Sequence, residues 1–230
     1  MTAAEQAADG CPKMRNCVVV KARIVTIAAR AVLAAACGKK GSIEDGGIYV
    51  VRSTCPQLGI PAGTGDITLF DPAGSTNAAA IDVEAAITNL RGTCNEDAAN
   101  IHSTATFDVV ATRRDAGAAR SVVLPFYNVV MRGGTAIVAK KIGAVQLDFP
   151  AGAIRAQTSS RVAVTVDRGA AALPADVREA LTRRRKVGDA DAAIDPMAKP
   201  EIRDAVARAT FEHLVGFQLT TDQLRYNATR

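Results

Sequence analysis

An antiparallel β-sandwich, immunoglobulin-like or similar, with one or two C-terminal helices is the mainly β fold this sequence predicts. Short stretches of period-two alternation recur between turn signals, and no βαβ rhythm follows them. Composition agrees: hydrophobic residues make up 48% of the 230, aromatics only 4%, and Trp is absent. A core of small aliphatic side chains spread over thin layers suits such numbers.

The folded domain is expected over residues 48–230, beginning with a strand from Ile48 to Ser53. Pro56, Gly59, Pro61, Gly63 and Gly65 then mark a connection without regular structure. Ile67 to Phe70 reads as a strand and Asp71-Pro72-Ala73-Gly74 as a turn. From Ile81 to Leu90, Ile81, Val83, Ala85 and Ile87 alternate with Asp82, Glu84, Ala86 and Thr88, the signature of a half-buried strand. Ala105, Phe107, Val109 and Ala111 repeat it. Val122 to Met131 is a longer apolar run in which Pro125 indicates an edge or a bulge. Gly133-Gly134 is a tight turn, and strands are expected over Thr135 to Lys140, Val145 to Phe149 and Val162 to Val166. Leu173 to Leu181 reads as a helix with Pro and acid at its start and Arg183 to Lys186 at its end, the charge order a helix dipole favours. Pro200 opens a second helix through about Leu214, with Ala207, Phe211, Leu214 and Val215 on one stripe.

Residues 1–36 have another character. Arg15, Lys21 and Arg23 precede the apolar stretch Ile24 to Ala36, which ends in small residues, the order of a secretory signal peptide. Its 13 residues are short of the roughly 20 that span a bilayer. Met14 offers an alternative start, because the 13 residues before it add polar sequence to an otherwise ordinary signal. Residues 37–47, rich in Gly and charge, read as a flexible tether. The formal charge of +5 is concentrated at this end: after residue 36, 23 basic side chains face 21 acidic ones. A nearly balanced domain lacks the field that gathers phosphates, so no nucleic-acid partner is expected.

Five cysteines are present. Cys11 and Cys17 precede the expected cleavage point, and Cys37 follows it. Cys55 and Cys94, each placed just after an expected strand, remain as a pair for one disulfide in an oxidising compartment, with two buried free thiols as the alternative. No CxxC spacing occurs and His102 and His213 are the only histidines, so no metal site is expected. Neither histidine has a catalytic motif around it, and GxSxG, P-loop and dinucleotide fingerprints are absent. Asp82 and Glu84 share a strand's polar face as ordinary solvated carboxylates. No cofactor is expected.

The segment Leu33-Ala34-Ala35-Ala36-Cys37-Gly38 resembles the bacterial lipobox, in which small residues precede a Cys that is acylated and becomes the new amino terminus. The resemblance implies lipidation at Cys37, with several acyl chains giving lasting attachment. By the lipoprotein sorting rule, Gly38 in place of Asp implies the outer rather than the inner membrane. Segments 42–47 (SIEDGG) and 216–227 (GFQLTTDQLRYN) are similar to small uncharacterised envelope lipoproteins of Gram-negative bacteria, a group that carries no assigned activity. The expectation is a non-enzymatic envelope lipoprotein whose domain faces the periplasm as a binding or structural module, with an envelope protein as partner. The alternatives are a periplasmic hydrolase or carbohydrate-active enzyme built around a His or carboxylate, and a basic cytoplasmic protein.

Overall fold

In the computed structural model of the chain, the residues described are 43–44, 47–48, 53–183, 185, 188–190 and 193–229. The chain divides into two units, Met1–Val51 and Arg52–Arg230. In the first, β1 (Ile43–Glu44) pairs antiparallel with β2 (Gly47–Ile48), across the boundary between the expected tether and the expected domain. Ile48 therefore belongs to this pair, Ser53 is not in a strand, and residues 49–52 of that expected strand lie outside the described residues. So do the expected signal peptide, Cys11, Cys17 and Cys37.

The second unit is mainly β, as the alternation predicts. Its strands are β3 (Gln57–Gly59), β4 (Asp66–Phe70), β5 (Ile81–Glu96), β6 (Asn100–Arg113), β7 (Arg120–Arg132), β8 (Ala136–Phe149), β9 (Arg155–Asp167) and β10 (Phe211–Phe217). They form two four-stranded sheets, ordered β3-β10-β7-β8 and β4-β5-β6-β9. Every neighbouring pair is antiparallel except β3 with β10, where Leu58 lies beside His213 in a parallel pairing.

The alternation carries the core. Val83, Ala85, Ile87, Ala105, Phe107 and Val109 of one sheet and Val122, Leu124, Phe126, Val145, Leu147 and Phe217 of the other belong to one buried cluster. Phe107 and Phe126 meet edge to face across it, with ring centroids 5.4 Å apart. Each such ring removed from water contributes roughly 2–3 kcal/mol, plus about 1 for the aromatic pair. A second cluster at one end gathers Ile101, Val130, Val166, Ala171 and Phe211, with Cys55 and Cys94 against it.

Among the described residues three α-helices follow β9 rather than one or two: α1 (Ala175–Thr182), α2 (Pro200–Arg208) and α3 (Thr221–Thr229). Val177 of α1 and Ile202 and Ala205 of α2 share a small apolar cluster of their own. The expected second helix stops at Arg208, and Phe211, Leu214 and Val215 lie on β10 instead. Phe211, His213, Val215 and Phe217 are its buried face, held between β3 and β7. A pattern that fits one helical stripe is taken over here by long-range strand pairing.

Pro125 sits in neither an edge strand nor a bulge. β7 has β10 on one side and β8 on the other, and the bulge between β7 and β8 lies at Val130/Met131. The Pro125 carbonyl accepts from Gln218 N, beyond the last residue of β10. Its missing N–H therefore faces the place where the neighbouring strand has ended, and no ladder bond is lost. The turn from β7 to β8 needs Gly133 and Gly134, whose φ values of 61° and 73° favour residues without a Cβ.

Candidate functional site

The polar groups that matter collect at three places. Two lie at opposite ends of β6 and the third lies inside the protein.

At the Asn100 end of β6, Cys55 and Cys94 form the disulfide expected from the cysteine count, with Cα atoms 6.1 Å apart and a sequence separation of 39. Cys94 lies within β5, which continues past the expected end at Leu90, and Cys55 precedes β3. Thr54 donates to Glu96 beside it. In the β5–β6 turn, Asp97 accepts from Ala99 N and Asn100 N and meets His102 Nε2 at 2.8 Å. The His102 bond and these two N–H groups hold the Asp97 carboxyl down at about 2. His102 Nδ1 meets Thr165 Oγ1 at 3.2 Å on the adjacent strand. Acid, imidazole and hydroxyl thus line up in the order of a hydrolytic triad, but on an exposed strand face. The hydroxyl is a threonine's, and the His102 and Asp97 side chains are about half exposed.

Inside the protein, His213 is completely buried. Its Nδ1 is 2.9 Å from Ser103 Oγ and its Nε2 2.8 Å from Asn128 Oδ1. Asn128 Nδ2 donates to Ala163 O, so its Oδ1 is the acceptor for His213 Nε2–H, and Nδ1 receives the Ser103 hydroxyl proton. Ser103 is 4% exposed and Asn128 5%. The Ser–His pair that a hydrolase requires exists here, bridging the two sheets, but it is closed to any substrate. Burial pushes the His213 pKa down and keeps the ring neutral.

At the other end of β6, a cleft of about 440 Å³ is lined by Asp71, Asp82, Arg113, Arg114, Asp115 and Arg120. The Arg113 side chain is 5% exposed. It donates to the carbonyls of Ala153 and Ala118 at 2.7 Å and of Gly117 and Pro150 at 3.1 Å, and lies over the Phe149 ring. One guanidinium therefore ties the β6–β7 connection to the β8–β9 turn. A lysine cannot span these acceptors. Arg113→Lys is expected to lower stability by about 2–3 kcal/mol, read by urea unfolding, because buried carbonyls are left without donors.

On the rim, Arg120 makes a two-pronged bond to Asp82 at 2.8 and 2.5 Å. The Arg120 hydrogen bond holds the Asp82 carboxyl below its usual range. A depressed carboxyl stabilises the fold above its ordinary pKa and loses that contribution as pH falls through the folded value. Because Arg120 is about half exposed, Arg120→Ala is expected to cost no more than about 1 kcal/mol, and less in high salt. Thermal melts at two ionic strengths measure both. Arg114 reaches Asp115 and the Ala79 carbonyl. The cleft thus brings both charges to close quarters, each paired with a neighbour.

Glu84, on the same strand face as Asp82, does not line this cleft. Among the described residues, no three His, Cys, Asp or Glu side chains converge to hold a metal. No described helix is long and apolar enough to cross a membrane. Arg113 and Ser103 were not singled out from the sequence, although the alternation through Ala105, Phe107, Val109 and Ala111, extended by one step each way, puts both on the inward face. Comparison of the chain with protein-family models, curated proteins and solved structures returns no match.

Proposed function

We propose that the chain is an exported, lipid-anchored envelope protein. Its domain is a β-sandwich, immunoglobulin-like in kind, that serves as a non-enzymatic binding or structural module. The observation that carries this reading is the Cys55–Cys94 disulfide, which belongs to an oxidising compartment. The Arg15 to Cys37 segment, with its basic, apolar and small-residue order, supplies the route there and the anchor. A core shared by both sheets supports the sandwich. The two histidine arrangements weigh against the hydrolase alternative, since one is sealed and the other is about half exposed. The Arg–Asp cleft is the concavity offered to a ligand, and an envelope protein is the partner expected for the surface.

Mass spectrometry of the chain from the native membrane fraction tests this. The expected result is a mature amino terminus at Cys37 carrying acyl chains, with Cys55 and Cys94 unreactive to alkylation before reduction. Native material in the soluble cell interior, with an unmodified terminus upstream of Cys37 and two free thiols, overturns it.

A further inference from the structure

β8 ends its sheet, and its outward backbone is regular from Lys140 to Asp148. The pairing alternation says which residues face the open edge. Pro125 turns its carbonyl to the β10 side, so its partner Ala144 makes no ladder bond to β7 and directs its N–H and C=O outward. With the period of two, Lys140, Ile142, Gln146 and Asp148 do the same. These residues also place their side chains on the outer sheet face, because Val145, Leu147 and Phe149 point into the core. Two large apolar side chains are left in water there: Ile142 at 63% exposure and Val123, on the neighbouring strand beside Gln146, at 59%. Single-chain proteins usually shield such an edge.

The edge is self-complementary. The β7–β8 bulge lies at the Val138 end and Pro150 follows the strand, so the regular segment is centred on Ala144. If a second β8 runs antiparallel with Ala144 opposite Ala144, Lys140 of each copy faces Asp148 of the other, and Ile142 faces Gln146 next to Val123. Every outward backbone group from Lys140 to Asp148 then finds a partner. A shift of the axis to Ile142 or Gln146 leaves Lys140 and Asp148 unmatched and part of the edge unpaired. We infer that this edge joins a second copy of the same chain, through an antiparallel β8–β8 pairing with its two-fold axis at Ala144, into a continuous eight-stranded sheet. The interface is isologous, as a two-fold requires. The inference does not depend on where the chain resides.

Engineered cysteines in the full chain read the register. Cα atoms of a bonded antiparallel pair stand about 5.5 Å apart, within disulfide range. Ala144→Cys is therefore expected to give a dimer, resolved by reduction, on a non-reducing gel under mild oxidation. Gln146→Cys, whose copies stand about 14 Å apart along the strands in this register, is expected to remain at the parent level. Charge reversal supplies the second readout: Lys140→Glu is expected to lower the dimeric fraction at least tenfold in sedimentation, and Lys140→Glu with Asp148→Lys to restore it. Equal cross-linking at both positions, cross-linking at neither, or a doubly reversed variant as monomeric as the single one overturns the proposal.

Discussion

His213→Ala is expected to lower the stability of the folded unit by about 4 kcal/mol, the largest effect of any single side chain considered for this protein. The removed ring leaves a cavity between the sheets, for which large-to-Ala core changes cost about 3–5 kcal/mol. It also strands the Ser103 hydroxyl and the Asn128 amide in a place water does not reach. Replacing Ser103, Asn128 and His213 together by Ala, Leu and Leu is expected to recover most of the loss, since no unpaired polar group then remains. The same residue sets an acid limit. The unfolded chain protonates His213 near the usual value of about 6.5, whereas the folded chain resists until lower pH because burial disfavours the charged ring. The neutral ring's contribution is complete above that value and declines as pH falls below it, by up to about 1.4 kcal/mol per pH unit, until the folded pKa is reached. Urea unfolding between pH 7 and 5 measures the slope, and the triple apolar variant is expected to flatten it. A variant as acid-sensitive as the parent would remove His213 from the explanation.

The second large effect belongs to the disulfide. Opening a loop whose ends are 39 positions apart in sequence is expected to cost on the order of 4 kcal/mol in the chain-entropy account. For a domain of this size that is a fall of roughly 8–16 °C in Tm. Cys55→Ala with Cys94→Ala, compared with the parent under reducing and non-reducing conditions, isolates the bond. The double variant is expected to melt alike in both, and the parent to drop to its level only when reduced. The bond holds the segment before β3 against β5, so its loss is expected to loosen β3, which has β10 as its single ladder neighbour.

How much of this was legible depends on how local the cause is. The alternation in β5, β6 and β7 is set by one buried face and reads directly from the chain. The alternation of β5 shows in the sequence only to Leu90, because Asn89, at φ 52°, and the irregularity between Thr88 and Arg91 break the period before Cys94 is reached. Gly143 lies between the two strands expected over Thr135 to Lys140 and Val145 to Phe149. Within the single β8 it leaves room for the Phe126 ring, which a Cβ there would meet at 2.7 Å. The first half of β9 leaves no alternation in the sequence because Ala156, Thr158 and Ser160, on an edge strand, are only half-buried and need not be apolar. The start of β10 fits the expected second helix because so short a run satisfies either period, and partners far away in sequence decide between them. Of the polar sites, the disulfide followed from counting. Arg113 and Ser103 fall on the inward face that the alternation of β6 marks, but their partners come from other strands and turns, and His213 lies in the segment whose pattern fits a helix.

The order of the strands also governs when the domain is able to form. β10 is the last of the described strands in chain order, yet it separates β3, the first of its sheet, from β7. A chain that has emerged only as far as Arg208 has every other strand and still carries an open slot, with the inner faces of Leu58, Val130 and Ser103 wet. Closure of this sheet therefore waits for Phe211 to Phe217, the segment that joins β3 to the rest of it.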